Sequence, residues 1–347
     1  MRKLYIKLLV AIILLTVTAV SNILQNCDKA GKISNDQISS SGESFETTKN
    51  VENDTDDITD SEFYIRYLDV GNADCALVCC NGKYLLIDGG NVDDSSLVVS
   101  VLKSSNIEHL DYMICTHAHE DHVGGLAGAL NAVSVGQVLC SVDQYDSTAF
   151  NNFAKYTHAQ GLDITIPETG DIYYLGDARA IILGPSKKFS ETNNQSLIVK
   201  IYYKNTSFLF MGDAETEAET HMLDSMIDVS CDVLKVGHHG SSSSSGYRFI
   251  RESAPKYAVI SVGKNNQYGH PHAETLSRFS DAGTTVYRTD ISGDITAYSD
   301  GENISFSFEK SDSNTAEHVR LSTSNFNDQI AFFSSPIFRR ENLQIAA

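Results

Sequence analysis

The sequence predicts an α+β fold: two mixed β-sheets packed face to face with helices on the outer faces, an αββα sandwich. Strand-like apolar runs come in two groups, over residues 63–142 and 163–308, and helical patterns are interleaved with both. A tight hairpin signal falls in each group, Asn81-Gly82 in the first and Lys204-Asn205 in the second. With 41% hydrophobic residues in 347, the chain can bury one large core or two small ones.

The elements follow in order. Residues 63–70 alternate and read as a strand, Gly71-Asn72-Ala73-Asp74 turns, and 75–80 is a second strand that Asn81-Gly82 folds back onto 83–88. Asp88-Gly89-Gly90 ends the third strand, and Asp93 or Asp94 is placed to cap a helix over 95–104. The apolar run 110–115 reads as a buried strand, and Val123-Gly124-Gly125-Leu126 lets the chain turn into a helix. A strand is predicted over 135–142, a helix over 147–160 stopped by Gly161, and strands over 163–166 and 179–183. The second hairpin joins 197–203 to 207–211. A helix over 215–225, buried strands over 231–236, 257–262 and 285–288, a helix over 274–282 and a meander of 294–298 and 303–308 complete the set. The folded domain is bounded at 63–310. Residues 311–347 show no clear period; Phe332, Phe333, Ile337 and Phe338 either pack on the domain or belong to a loose tail.

Residues 1–27 read as a signal peptide or lipoprotein leader. Arg2, Lys3 and Lys7 precede an apolar run over 8–20, long enough for a signal-peptide core and short for a membrane span. Val17-Thr18-Ala19 offers one cleavage site. Leu24-Gln25-Asn26-Cys27 resembles a lipoprotein box with Cys27 as the lipidated residue, although Gln25 and Asn26 depart from the small residues such a box prefers. Lipidation, plain secretion and an uncleaved anchor stay open. All three place the domain outside the cytoplasm, extracellular or at a bacterial cell surface, and touch the membrane only through the leader or lipid. Residues 28–62, rich in Ser, Thr, Asn and Asp, read as a disordered polar tether.

The formal net charge is −19; residues 1–27 carry +3 and residues 28–62 carry −7, which leaves −15 on the chain from residue 63. A surface this acidic repels a phosphate backbone at long range, which argues against tight, sequence-independent binding of long duplex DNA but not against local cleavage of a phosphodiester. Cys75, Cys79, Cys80, Cys115 and Cys231 lie in or beside apolar runs and read as buried thiols rather than disulfides.

The chemistry is concentrated in Thr116-His117-Ala118-His119-Glu120-Asp121-His122. A buried strand precedes this loop and two glycines follow it, so four ligand-type side chains are held in one tight turn. His117 and His119 can reach one ion, and Asp121 and His122 a second beside it. Imidazole nitrogen and carboxylate oxygen suit zinc, and also manganese or iron.

This stretch resembles the H-x-H-x-D-H signature of the metallo-β-lactamase superfamily. The likeness narrows over Leu68-Asp69-Val70-Gly71-Asn72-Ala73-Asp74, Leu86-Ile87-Asp88-Gly89-Gly90, Asn193-Asn194-Gln195-Ser196-Leu197, Met211-Gly212-Asp213, residues 234–241 and Tyr268-Gly269-His270-Pro271-His272, which occur in that order. Together they look like the C-terminal hydrolase-like domain of the DNA-uptake competence protein ComEC and its stand-alone secreted relatives, over residues 63–308. The resemblance implies a metallo-β-lactamase fold and a dinuclear centre. It implies that Asp213 bridges two divalent ions, since a carboxylate has an oxygen for each. It favours His239, which precedes Gly240, as the last metal ligand, with His238 lining the site. The family's middle histidine is replaced by Asn193-Asn194-Gln195-Ser196, as is normal in the competence-type group; the His117/His119 ion is then weakly held or completed by substrate.

The metal ligands are therefore expected to be His117, His119, Asp121, His122, Asp213 and His239, with Asp88 holding the loop's orientation from behind. The ions would bring a shared water's pKa near 7 for attack on phosphorus or a carbonyl. Asp121 and Asp213 orient that water, and His238 or His270 serves the departing oxygen. The Tyr268–His272 stretch reads equally as a substrate contact and as a polar loop fixed by Pro271, with His272 placed to cap the next helix. Residues 241–245 read as a flexible serine run rather than a phosphate-binding loop. The expected activity is an exported metal-dependent hydrolase, a phosphodiesterase with nuclease-like chemistry acting on small esters or single-stranded DNA. The alternatives are a phosphorylcholine-type or carboxylic ester/lactone hydrolase of the cell surface, and a non-catalytic surface binding lipoprotein.

Overall fold

A computed structural model describes residues 62–310. The leader, the tether to residue 61 and the 311–347 tail lie outside the described residues. Glu62, assigned to the tether, belongs to the fold: its carbonyl accepts from the Asn81 amide at 2.7 Å and its carboxylate from the Tyr203 hydroxyl at 3.2 Å.

In chain order the first half contains β1 (Phe63–Tyr67), β2 (Ala76–Cys80), β3 (Lys83–Ile87), α1 (Ser95–Ser104), β4 (His109–Cys115), α2 (Glu120–Val123), α3 (Leu126–Ala132), β5 (Ser134–Cys140), α4 (Thr148–Ala159) and β6 (Ile164–Thr165). The second half contains β7 (Ile172–Leu175), β8 (Ala178–Gly184), β9 (Ile198–Tyr203), β10 (Thr206–Phe210), α5 (Thr216–Asp224), β11 (Val233–Lys235), α6 (Tyr247–Ser253), β12 (Tyr257–Ile260), α7 (Ala273–Asp281) and β13 (Thr285–Arg288). A short α8 (Thr289–Ser292) leads to β14 (Ile295–Ser299) and β15 (Ile304–Phe308).

Two mixed sheets result. One runs β15-β14-β1-β2-β3-β4-β5-β6 and the other β13-β12-β11-β10-β9-β8-β7. The final meander returns to the first sheet, where β14 pairs antiparallel with β1. Period-two side chains explain the layering. In β1, Phe63, Ile65 and Tyr67 are buried while Tyr64 and Arg66 stay half-buried. Those inward residues meet Tyr203, Phe208 and Phe210 from the second sheet, and the Phe63 and Tyr203 rings stack at 4.6 Å. The opposite face of the first sheet packs on α1, α3 and α4 through Val98, Leu102, Leu126, Leu130, Phe150 and Phe153. The outer face of the second packs on α5, α6 and α7 through Ala218, Met222, Phe249, Ile250 and Phe279. The αββα sandwich is thus formed as predicted.

Several details differ. Asp94 does stand before α1, but its carboxylate does not cap that helix; it accepts from the amide and side chain of Asn91, at 2.8 and 3.1 Å. Ser147 is the true side-chain cap, accepting from the Phe150 amide ahead of α4. The helix after the metal loop has an extra turn, α2, ahead of Gly124-Gly125. The strand expected over 163–166 shrinks to two residues. Strand β7 and helix α6 were not foreseen. Cys75, Cys79, Cys80, Cys115 and Cys231 are buried free thiols.

Strands β3, β4 and β5 run parallel in one sheet, and β10, β11 and β12 in the other. Their C-terminal ends gather at one rim, the place where open parallel sheets present functional side chains. No helix among the described residues is long and apolar enough to cross a membrane.

Candidate metal centre

Strand β4 runs buried to Cys115 and delivers Thr116 and His117 to the rim. The loop that follows is strapped from behind. Asp88, at the end of β3, accepts from the Thr116 amide at 2.7 Å and the Thr116 hydroxyl at 2.8 Å, and lies 2.9 Å from His122 Nδ1. The Gly89 amide donates to the His122 carbonyl, and the Asp74 amide to that of Asp121. Backbone contact this close explains Gly124 and Gly125. A Cβ on Gly124 would lie 2.3 Å from the Val92 nitrogen, and one on Gly125 2.1 Å from the Gly89 oxygen.

The other sheet supplies three more side chains. After β10, Gly212 takes a positive φ and Asp213 turns inward, its amide donating to Ser196 Oγ at 3.0 Å. After β11, His238 and His239 both adopt left-handed backbone, φ 49° and 52°. Two successive left-handed residues cost strain that glycine would avoid, and they aim neighbouring imidazoles to different parts of one site. His239 is buried, with Nδ1 at 3.0 Å from the Ser261 carbonyl and 3.3 Å from Asp74 Oδ1. His238 stays half-exposed, with Nδ1 at 3.0 Å from Glu215 Oε1.

The inward atoms converge. Asp213 Oδ1 lies 3.2 Å from His122 Nε2 and 3.6 Å from His239 Nε2, and Asp121 Oδ2 lies 3.3 Å from His239 Nε2. Asp121, His122, Asp213 and His239 each offer a ligand atom, all within 4.8 Å of one another. The second oxygen, Asp213 Oδ2, faces the other way, 3.9 Å from His117 Nε2 and 3.8 Å from His238 Nε2. His117 Nε2 lies 3.1 Å from His119 Nδ1, a spacing that fits two nitrogens about 2.1 Å from one shared ion.

A divalent ion fits this donor set. His122 Nε2, Asp213 Oδ1 and His239 Nε2 are buried and have no hydrogen-bond partner, yet they point at one another. Desolvated polar atoms left so are costly unless something else satisfies them. The electrostatics agree. Burial pushes both imidazoles down, but Asp213 with its fellow carboxylates outweighs it, holding His122 well above its ordinary range and His239 up at about 10. Burial likewise pushes Asp121 up, and His122 and His239 pull it down to about 2. The carboxylates make the site a well of negative potential that favours positive charge. His117 sits well below its usual value through burial and the neighbouring His122.

Of the residues expected from the sequence, Asp121, His122, Asp213 and His239 form one closed set, and His117 and His119 stand beside it. In the Asn193–Ser196 stretch Ser196 stands behind His117, its Oγ 3.3 Å from His117 Nδ1. His270 stands at the rim, its ring 5.5 Å from that of His238, with a buried Nδ1 that has no partner. Burial and then His238 push its pKa down to about 4. Asn266 holds the loop, donating to the His270 carbonyl at 2.6 Å and accepting from its amide at 3.0 Å. His272 precedes α7 but does not cap it; its Nδ1 accepts from the Ser242 amide at 2.9 Å.

The serine run is neither flexible nor an anion cradle. The Ser245 and Gly246 amides donate to the buried carboxylate of Glu219, the Ser242 amide to His272, and Arg278 binds the carbonyls of Ser242, Ser244 and Ser245. Those amides are spent on internal partners. Sequence reasoning also missed the supporting roles of Asp74, Glu215 and Lys235. Lys235 carried a signal as a lysine inside the apolar run Val233-Leu234-Lys235-Val236, and Asp74 as the end of the Leu68–Asp74 stretch that carries the resemblance.

A sequence model of the metallo-beta-lactamase superfamily matches residues 68–264. The chain is 30% identical over 254 residues to ComE operon protein 3 of Bacillus subtilis (strain 168), covering 68% of this chain and 33% of that protein. It is 26% identical over 239 residues to competence protein ComA of Neisseria gonorrhoeae, covering 68% and 32%. The chain therefore spans about a third of the length of these curated relatives. Among solved structures, the metallo-beta-lactamase fold protein YhfI from Bacillus subtilis superimposes with a TM-score of 0.46 at 14% identity, covering 65% of this chain and 96% of that one.

Proposed function

The chain belongs to the metallo-β-lactamase superfamily, and on that premise we propose that it is a metal-dependent hydrolase acting on phosphodiesters. One observation carries the reading: Asp213 divides its two oxygens between His122 and His239 on one side and His117 and His238 on the other. That is the arrangement a bridging carboxylate needs. Asp121, His122, Asp213 and His239 would hold one divalent ion, and His117 and His119 would hold the second with Asp213 between. Such ions make a water nucleophilic near neutral pH and offset charge that builds on the substrate's oxygens.

The chain's own residues do the rest. Asp88 at His122 Nδ1, and the Ser261 carbonyl at His239 Nδ1 with Asp74 Oδ1 beside it at 3.3 Å, keep both rings turned with Nε2 inward. Asp121 and Asp213 are acceptors that orient the attacking water. His238 is held by Glu215 through Nδ1 and presents Nε2 at the open edge, where it meets the departing oxygen. His270 lines the same edge and contacts substrate.

The substrate class draws on the relatives, one of which is named a competence protein. Single-stranded DNA or a short phosphodiester suits this reading, because a net charge of −19 disfavours long duplexes. We place the enzyme outside the cytoplasm, tethered or secreted through its leader. The metal-loaded full chain should be offered single-stranded DNA, bis-p-nitrophenyl phosphate, a phosphorylcholine ester and a cephalosporin. Turnover of the first two, abolished by a chelator, is the expected result. Turnover of the cephalosporin or the choline ester alone would move the substrate class elsewhere.

A further inference from the structure

We propose that Lys235 is a positioning residue of the metal centre, acting through Asp74 on the ring of His239. The inference rests on reading the centre as a metal site. Lys235 lies on β11, its side chain buried in the sandwich. Its ammonium is 2.7 Å from Asp74 Oδ2 and 3.1 Å from the Val236 carbonyl. Asp74 comes from the other sheet, in the turn after β1, and its second oxygen is 3.3 Å from His239 Nδ1. A chain of three side chains therefore runs from the second sheet to Asp74 of the first and back, ending on an inward-pointing ligand.

Burying an ammonium is unfavourable unless it is paired and hydrogen-bonded, so a lysine at this place needs a reason. The geometry supplies one. With Oδ2 pinned by Lys235, only Oδ1 of Asp74 is free to face the imidazole. Asp74 also has a carboxylate neighbour: Asp74, Asp88 and His122 offer ligand atoms within 4.8 Å of one another. The ammonium balances this buried negative charge and keeps Asp74 turned toward His239. Among the described residues no other lysine or arginine pairs with Asp74, and its carboxylate's other contact is His239 Nδ1 at 3.3 Å. Without that contact His239 would keep the Ser261 carbonyl as its one acceptor, at 3.0 Å. Partners that orient a ligating histidine from behind typically matter by about 10–100-fold in metal affinity. The Asp74 backbone is tied in as well, its amide donating to the Asp121 carbonyl and its carbonyl accepting from Gly90. One aspartate thus braces ligands from both sheets.

The test is Zn²⁺ affinity of the metal-stripped full chain, measured by competition with a chromophoric chelator, with the melting temperature of the stripped protein recorded alongside. Lys235→Met and Asp74→Asn should each weaken Zn²⁺ by about 10–100-fold. The double variant should be no weaker than the weaker single, because the two residues act as one unit. Lys200→Met is the control. Lys200 is also buried on the second sheet, paired with Asp228 at 2.9 Å, and its loss should lower the melting temperature while leaving Zn²⁺ affinity unchanged. Wild-type affinity in a folded Lys235→Met, or losses that multiply in the double variant, would overturn the proposal. Should Lys235→Met prove unfolded, wild-type affinity in Asp74→Asn overturns it equally. A wild-type chain that binds neither Zn²⁺ nor Mn²⁺ would instead overturn the metal reading beneath it.

Discussion

Neighbouring residues divide the work at the smallest scale. His238 and His239 share one backbone kink, yet one ring is enclosed by Asp74, Asp121 and Asp213 while the other meets solvent and Glu215. His239→Ala should therefore lose metal and turnover together, with partial rescue by excess zinc. His238→Ala should keep its metal and lose on the order of 10²–10⁴ in turnover, the range of a lost acid–base group, with no rescue. Metal content and phosphodiesterase rate of both variants check this; metal loss in His238→Ala with retention in His239→Ala would reverse the roles. Asp213→Ala should loosen both ions, since each of its oxygens faces a different group of histidines. Two tightly held ions in that variant would rule out the bridge. At this scale the sequence was informative where ligands are packed into a short loop, as in His117 to His122. Among residues that act from behind it gave Asp88 but was silent on what Asp74 and Glu215 do. Nothing local in Asp74 or Glu215 tells that each will meet a histidine from a distant strand, because that pairing exists only once the two sheets close.

Elements place those residues, and their close approaches are as informative as their lengths. The turn between α2 and α3 touches the loop after β3 so closely that only glycine fits at 124 and 125. Gly124→Ala should cost about 1–3 kcal/mol, as overpacking does, read as a lower melting temperature. An unchanged melting temperature would mean the loops are looser than described. The Glu219 carboxyl, on α5, organises the serine loop and the start of α6. Burial pushes its pKa from 4.5 up to about 7, the amides of Gly246 and Ser245 and then Arg278 pulling against it. A folded-state pKa above the unfolded one means that the folded chain binds the proton more tightly. This contribution is complete below about pH 4.5 and is lost as pH rises through about 7. Glu219→Gln mimics the protonated acid, so its melting temperature should fall less than wild type between pH 5 and 8; parallel curves would contradict the buried-acid account. Long, strongly patterned elements were legible, α1 to the residue. Strand β7 was not, because Ile172-Tyr173-Tyr174-Leu175 is a four-residue run that is apolar on both faces and so shows no alternation. Helix α6 was hidden by the serine run before it, which reads as loop and gives no sign of the Glu219 carboxylate that orders it.

At the scale of the whole molecule, four layers serve to bring the ends of two parallel strand sets to one rim. The metal loop comes from the first sheet, and Asp213 and His239 come from the second, so the centre exists only in the assembled sandwich. The sandwich itself was readable from the two groups of strands; the face-to-face register that joins His122 to Asp213 was not, since periodicity carries no distance information. The leader adds a prediction of its own. Labelling with a lipid precursor should tag the wild-type chain and not Cys27→Ala; labelling of neither, with a mature chain beginning near Val20, would favour plain secretion. The central claim is that the Asp and His side chains at the rim form a metal-dependent hydrolytic site. The direct measurement is a titration of the metal-stripped full chain with Zn²⁺, reading bound metal and bis-p-nitrophenyl phosphate hydrolysis in the same samples, with Asp213→Ala as the blank. The account predicts no hydrolysis in the stripped protein and a rate that rises with bound metal and levels off at the same stoichiometry. Hydrolysis by the stripped chain, or none from a chain saturated with Zn²⁺ or Mn²⁺, would contradict it.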